Sequence, residues 1–165
     1  MPLKEAEKNY DFKKIEDKEI CTKGNVTSIC EFDDKLLAIG NYNPHNIVIY
    51  KIDEKNIEEI KILEGHSGRI NSIINLNNKY LISGGEGGSY EIFIWDKKNN
   101  YNLTKLSGHS NNINCIIKLY QEDNFASCSD DKTIIIWQNE LRKFSWSYSN
   151  PIKQMIQLKN QKIVY

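Results

Sequence analysis

The feature that most limits how this chain can fold is an internal repeat. The dipeptide Gly-His begins at Gly65 and again at Gly108, 43 residues later. In both places an apolar run that ends in tryptophan follows, and these tryptophans, Trp95 and Trp137, are 42 residues apart. Two independent landmarks therefore share nearly one period, and a period in the forties is typical of repeat architectures.

Weaker copies flank these two. The stretch 25–63 keeps the same rhythm, with Tyr50 at the position of the tryptophan and no Gly-His before it. The stretch 150–165 begins another copy and stops within what we expect to be its second strand. We therefore predict an N-terminal segment, 1–20, followed by about three and a half units at 21–64, 65–107, 108–149 and 150–165.

Each unit is expected to contain four short β-strands. The candidates in the third unit, which are rich in β-branched residues and lack a helical period, are 114–119, 125–128, 133–138 and 141–146. In the stretch TIIIW, Ile134 and Ile136 point to one side of the strand, and Ile135 and Trp137 point to the other. A strand that is apolar on both sides needs a packed layer on each face of its sheet. The predicted fold is therefore all-β, built of four-stranded antiparallel sheets that cover one another, as the blades of a β-propeller do.

These motifs make the chain similar to the WD40 repeat family, whose units of about 40–45 residues carry GH and, later, WD. The third unit matches best, with "GH…SCSDDKTIIIWQ", although Gln138 stands in place of the closing Asp. The second unit has "GH" and "FIWD" but a longer, glycine-rich turn, "GGEGGSY". The resemblance covers about residues 21–165. It implies a β-propeller that serves as a non-catalytic scaffold for protein–protein interaction within an intracellular multiprotein assembly.

The number of units departs from what a complete propeller needs. Propellers close with about four to eight blades, so three and a half would leave open sheet faces and unpaired edges. We expect an incomplete propeller: a piece of a longer one, a truncated product, or a subunit completed by further blades or another chain. In isolation we expect it to aggregate or to pair with itself. The segment 1–20 is interpreted either as an outer strand that closes the ring or as a frayed terminus.

Members of the family fasten each blade with a buried hydrogen-bond network. By position, its members here would be His109, Ser127, Asp131 and Trp137 in the third unit, and His66, Ser83 and Trp95 in the second. An indole N–H enclosed between sheets needs an acceptor. A histidine on the preceding connection can accept this hydrogen bond, and its other ring nitrogen can donate to a carboxylate. The second unit offers only Glu86 in place of the Asp, so we expect a weaker network there.

A hydrolytic triad is the competing interpretation, because Ser127, His109 and an Asp are its residue types. Ser127, however, lies within an apolar stretch, "NFASCS", and lacks the G-x-S-x-G turn that exposes a nucleophile. A histidine also recurs at the same place in the second unit, and a motif repeated in each unit favours a structural role. We therefore predict no catalytic residues and no enzyme.

The resemblance also implies a partner-binding face, formed by residues just after each Gly-His and by the turn that carries the Asp. The candidates are Arg69, Asn71, Asn112, Asn114 and Asp130. Arg69 is the strongest of them, because arginine is enriched at interaction hot spots and the chain has only one other, Arg142.

Composition argues against several functional classes. Lys and Arg number 22 and so do Asp and Glu, which gives a formal net charge of zero and makes direct nucleic-acid binding unfavourable. The spacing of the 3 histidines predicts no metal site, and nothing in the sequence predicts a cofactor. The 4 cysteines form no CxxC pair, so we interpret them as small thiols in a reducing compartment.

No apolar run approaches the roughly 20 residues of a membrane span, and the charged N-terminus is not a secretory signal. The expected location is therefore intracellular, cytoplasmic or nuclear, and the expected partners are other proteins. One alternative is a regulatory or substrate-recruiting propeller within a larger protein whose catalytic domain, of the ubiquitin ligase or kinase type, is not in this sequence. A component of an RNA-processing assembly is a third interpretation.

Overall fold

The structure is a computed structural model that describes residues 24–33, 35–53, 56–121, 123–138 and 141–165. The closing strand proposed within 1–20 lies outside the described residues, and so does Cys21. Within the described ranges the regular structure is β-strand, apart from a single 3-10 turn at Lys97–Asn99. The predicted all-β class is confirmed.

The strands form three four-stranded sheets and one two-stranded sheet, each antiparallel and each in chain order. The first sheet contains β1 (Val26–Asp33), β2 (Leu36–Asn41), β3 (Asn46–Ile52) and β4 (Ile57–Glu64). The second sheet contains β5 (Ile70–Leu76), β6 (Tyr80–Gly85), β7 (Ile92–Asp96) and β8 (Asn102–Leu106). The third sheet contains β9 (Ile113–Lys118), β10 (Asn124–Ser129), β11 (Thr133–Gln138) and β12 (Leu141–Ser147). The short sheet pairs β13 (Ile156–Gln157) with β14 (Ile163–Val164).

The sheets pack face to face through apolar layers. The layer between the first and second sheets contains Ile47, Ile49, Leu81, Phe93 and Trp95. The layer between the second and third sheets contains Ile82, Ile92, Ile94, Phe125, Ile135 and Trp137. On the far side of the third sheet, a further layer contains Ile134, Ile136, Ile152 and Met155. The two sides of β11 therefore lie in different layers, as the apolar pattern of TIIIW predicted.

Burial differs sharply between the strands of the third sheet. All six residues of β10 are buried, because this strand has a neighbouring strand on each side and an apolar layer on each face. All seven residues of β12, at the edge of the sheet, are exposed. Polar side chains on β10 must therefore find partners within the protein, since an unpaired buried polar group is costly.

Candidate functional site

A continuous hydrogen-bond network crosses the third sheet. The indole Nε1–H of Trp137 donates to Ser127 Oγ at 2.8 Å. Ser127 Oγ lies 2.7 Å from His109 Nε2, and His109 Nδ1 lies 2.8 Å from Asp131 Oδ2. The structure thus brings together all four residues that sequence position assigned to the third unit.

The serine stands between the tryptophan and the histidine. The prediction that the histidine accepts the hydrogen bond of the indole N–H directly is wrong. The Ser127 hydroxyl accepts a hydrogen bond from Trp137 and can at the same time donate one to His109, because a hydroxyl is both donor and acceptor. With this arrangement His109 is neutral and its Nδ1–H donates to Asp131. The indole N–H, the hydroxyl and both ring nitrogens of His109 then each have a hydrogen-bond partner.

Asp131 accepts more hydrogen bonds than the sequence pattern indicated. Its carboxylate accepts from the backbone N–H of Ser110 at 2.9 Å, the backbone N–H of Thr133 at 2.8 Å and the Thr133 hydroxyl at 2.6 Å. Burial alone raises the pKa of Asp131, but the hydrogen bonds from Thr133, Ser110 and His109 outweigh burial and lower it. Thr133 was missed, although an Asp followed two residues later by Thr is a recognisable turn signal.

The pKa of His109 is lowered, mainly by burial, which disfavours the charged imidazolium. Asp131 opposes this effect without overcoming it. The side chain of His109 is 0% exposed, and Ser127 is 0% exposed. Although the residue types are those of a hydrolytic triad, the hydroxyl is enclosed and already bonded to two partners. A substrate carbonyl has no access to Ser127 in this state.

The second sheet carries a shorter version of the network. Trp95 Nε1–H donates to Ser83 Oγ at 2.9 Å, and Ser83 Oγ lies 2.7 Å from His66 Nε2. The His66 ring stacks on Phe93, with 4.1 Å between the centroids and 13° between the planes. Burial first, and then the charges of Lys105 and His45, lower the pKa of His66 to about 4.

The predicted partner-binding residues lie at one edge of the stacked sheets. Here β5 and β9 begin and β6 and β10 end, as shown by hydrogen bonds from Glu86 N–H to the Arg69 carbonyl (2.7 Å) and from Asp130 N–H to the Asn112 carbonyl (2.9 Å). We call the set Arg69, Glu86, Asn112 and Asp130 the rim.

Asn71 and Asn114 use their side chains inside the protein. Asn71 Nδ2–H donates to the carbonyl of Ile113 at 2.9 Å, and Asn114 Nδ2–H donates to the carbonyl of Ile152 at 2.9 Å. Each therefore links the inner strand of one sheet to the start of the next unit. Sequence position alone placed both asparagines on a surface and did not reveal these bonds between sheets.

Asp130 is also engaged. Its carboxylate accepts from Asn114 at 2.7 Å and pairs with the Lys153 ammonium. The hydrogen bond from Lys153 is the main reason why the pKa of Asp130 is lowered. Lys153, which no sequence motif indicated, thus balances the charge of Asp130 on the rim.

Arg69 differs from its neighbours on the rim. Its side chain is exposed, and among the described residues no side chain forms an ion pair or a hydrogen bond with its guanidinium. The arginine borders a cavity of about 370 Å³ between the first and second sheets, together with Asn25, Val26, Thr27, Tyr42 and Glu86. Val26 and Tyr42 are 43% and 47% exposed. The Arg69 guanidinium, which has no partner among the described side chains, therefore lies beside two exposed apolar or aromatic side chains.

Two further kinds of site, a metal site and a membrane-spanning helix, were sought among the described residues. In the part of the chain that the structure describes, no three His, Cys, Asp or Glu side chains cluster closely enough to hold a metal ion. None of the helices within the described ranges is long or apolar enough to cross a membrane.

Four-stranded antiparallel sheets that stack face to face, with a Trp–Ser–His connection repeated in two of them, define a repeat protein of the β-propeller class. Residues 57–96 and 100–138 match the family model of the WD40 repeat, described as WD domain, G-beta repeat. Both of these segments are WD40 repeats. The two matched segments run from β4 to β7 and from near the start of β8 to the end of β11, so each joins the outer strand of one sheet to three strands of the next.

Two solved structures resemble this fold. The first, "Structure of U3-55K", has a TM-score of 0.68 and 16% sequence identity, and the match covers 79% of this chain and 42% of that chain. The second, "Crystal structure of RRP9 WD40 repeats", has a TM-score of 0.69 and 16% identity, with coverage of 79% and 41%. The chain thus spans about two fifths of the length of these structures, and the likeness concerns the fold alone. No curated protein matches the sequence significantly.

Proposed function

We propose that this chain is a non-catalytic, intracellular WD40 scaffold within a multiprotein assembly, and that a partner protein binds at the rim around Arg69. WD40 repeat proteins are generally non-catalytic scaffolds. The observation that carries the proposal is the contrast between Arg69, whose guanidinium has no partner among the described side chains, and Asp130, whose carboxylate is already paired with Lys153.

Arg69 has the surroundings of an interaction hot spot. Arginine and tyrosine are enriched at such positions because they combine a large contact area with directional hydrogen bonding. Tyr42 lines this cavity and lies edge-on to His45, with 5.5 Å between the ring centroids, in the turn between β2 and β3. A partner with a carboxylate next to an apolar side chain would complement this surface, because the guanidinium fork matches a carboxylate.

Hydrogen bonds fix the backbone of the rim near Arg69. The Arg69 carbonyl is fixed by the Glu86 N–H, and the next residue but one, Asn71, is bonded across to Ile113. We assign Asn71 and Asn114 the supporting role and Arg69 the direct contact with the partner, with Asn112 and Asp130 further along the same edge. A fixed backbone reduces the entropy that binding must overcome.

The buried networks have a structural role in this proposal. His109, Ser127, Asp131 and Trp137 lock the third blade, and His66, Ser83 and Trp95 lock the second. The blades correspond to the units 65–107 and 108–149, preceded by 21–64 and followed by the start of another unit at 150–165. A satisfied polar network in an apolar layer rigidifies its surroundings, because each member would be costly to leave unpaired.

A pull-down with the intact protein tests the binding surface. Affinity-purified wild type, Arg69→Glu and Arg142→Glu would be compared by quantitative mass spectrometry of the retained proteins. Arg142 is a matched control, because it is also exposed but lies on the outer strand β12 and contacts Ser145 at 2.6 Å. We expect at least one protein to be retained by wild type and Arg142→Glu and lost with Arg69→Glu.

Thermal unfolding of the three proteins serves as the folding control, since all three should unfold at similar temperatures. If every retained protein binds Arg69→Glu as well as wild type, the assignment of the partner surface is wrong.

A further inference from the structure

Two cysteines lie directly opposite each other in the third sheet. Cys115 on β9 is the register partner of Cys128 on β10. Directly opposed residues of an antiparallel pair have side chains on the same face and Cα atoms about 4.5–5.5 Å apart. This separation falls within the range of about 4.4–6.8 Å that a disulfide spans. The backbone therefore already has a geometry that a disulfide can bridge.

The two thiols face the same apolar layer but differ in access. Cys128 is 0% exposed, whereas Cys115 is partly exposed at the edge of that layer. The Cys115 sulfur lies 4.0 Å from the carbonyl of Met155. A reagent from solvent can therefore reach the Cys115 sulfur, whereas the Cys128 sulfur is buried and is not directly accessible.

The pKa values of the two thiols also favour reaction at Cys115 before Cys128. The pKa of Cys115 is lowered, mainly because the adjacent Cys128 thiol stabilises the Cys115 thiolate. The pKa of Cys128 is raised, first by the neighbouring Cys115 thiol and then by burial. The thiolate is the reactive form of cysteine, so Cys115 is the attacking sulfur and Cys128 the resolving one.

We propose that Cys115 and Cys128 form a thiol–disulfide exchange site that reacts with small disulfides of the glutathione type. The Cys115 thiolate attacks one sulfur of oxidised glutathione, which forms a mixed disulfide and releases one glutathione thiolate. Cys128 then attacks the Cys115 sulfur, and its proton passes to the departing glutathione sulfur, which leaves as the second glutathione thiol. The two protein thiols lose two electrons and two protons, and one glutathione disulfide becomes two thiols.

Cys30 provides an internal comparison. It lies on β1 opposite Ala38, so its register partner is not a thiol. Burial is the main reason why the pKa of Cys30 is raised to about 11. A cysteine with little thiolate and no thiol opposite should resist the same reagent.

The test uses the full chain with Cys21→Ser and Cys30→Ser, so that the proposed pair remains. The folded protein is equilibrated with mixtures of reduced and oxidised glutathione, quenched by alkylation of free thiols, and measured by intact mass. We expect a monomer that has lost two hydrogen atoms and takes up no alkylating reagent. The equilibrium constant for this disulfide should be roughly tenfold or more higher in the folded protein than in urea, because the fold holds the sulfurs together.

Two variants check the order of attack. With Cys115→Ser we expect Cys128 to remain reduced, because it is enclosed. With Cys128→Ala we expect a stable mixed disulfide on Cys115. If a serine background fails to fold, peptide mapping of the oxidised wild-type chain locates the disulfide instead. The proposal is overturned if Cys115 retains glutathione while Cys128 stays free in the intact pair. It is also overturned if the disulfide forms no more readily in the folded protein than in urea.

Discussion

The indole nitrogen of Trp137 and the hydroxyl of Ser127 are joined by a hydrogen bond of 2.8 Å within the layer between the second and third sheets. Trp95 and Ser83 make the same bond at 2.9 Å one sheet earlier. A tryptophan brings a large apolar area into the layer, but it also brings one N–H that must be satisfied there. The serine on the adjacent strand supplies the acceptor without introducing a charge.

Replacement of Ser127 by alanine should destabilise the protein. The change leaves the Trp137 N–H and the His109 Nε2 without partners in a buried layer, so we expect a loss of about 1–3 kcal/mol in the free energy of unfolding. Urea unfolding followed by tryptophan fluorescence measures it. Ser145→Ala on the exposed strand β12 is the matched control and should change stability by less than about 0.5 kcal/mol. Equal effects of the two changes would contradict a locking role for the network.

Stability should fall in mildly acidic solution because of His66. Its pKa is about 4 in the folded protein and about 6.5 in an unfolded chain. Between these values the unfolded chain binds the proton more readily, so stability rises with pH. The contribution of neutral His66 to the free energy of unfolding is fully present above about pH 6.5. It is lost as the pH falls towards 4, and its upper bound is about 3 kcal/mol.

Denaturant titrations of wild type and His66→Gln from pH 7.5 to 4 isolate this contribution. Glutamine can still bond to Ser83 but does not titrate, so the difference between the two proteins should shrink as the pH falls. A difference that stays constant across this range would show that His66 titrates alike in the folded and unfolded states.

Asn71→Ala should weaken the contact between neighbouring sheets. It removes the bond of 2.9 Å from Nδ2–H to the Ile113 carbonyl, and a typical hydrogen bond of this kind contributes about 1 kcal/mol. Asn102→Ala, at an exposed position on β8, is the control for loss of an asparagine from a strand. Chemical unfolding should give a lower midpoint for Asn71→Ala alone. Matching midpoints would mean that the bond between the sheets adds nothing.

Gly108 permits close packing against Trp137. A Cβ atom at this position would lie 2.8 Å from Trp137 Cη2 and 3.3 Å from Ile135 Cδ1. Gly108→Ala should therefore cost about 1–3 kcal/mol of stability through overpacking. Gly88→Ala is the control, because a Cβ there would meet nothing within 4 Å. A thermal melt in which both variants behave like wild type would argue against this reason for the glycine of the Gly-His motif.

Much of the fold was accessible from the sequence because its signals are local and repeated. The pattern of TIIIW predicted that Ile134 and Ile135 would lie in different layers, and the Gly-His and Trp landmarks marked where each sheet recurs. The third-sheet strands agree with their predicted ranges to within one or two residues. Thr133 was missed in the network because its hydrogen bond to Asp131 depends on the conformation of a turn, which residue types alone do not settle.

Alternation of apolar residues determines which side of a strand faces a neighbouring layer, since successive side chains point to opposite faces. The side of each strand that faces a layer, and the repeat period, could therefore be predicted from the sequence of this chain. Which groups meet between strands and between sheets was decided only by the tertiary structure. Asn71 reaches the Ile113 carbonyl and Cys115 stands opposite Cys128 because the stacking of sheets and the strand register bring them together. Such contacts depend on distances in space that the order of residues does not contain.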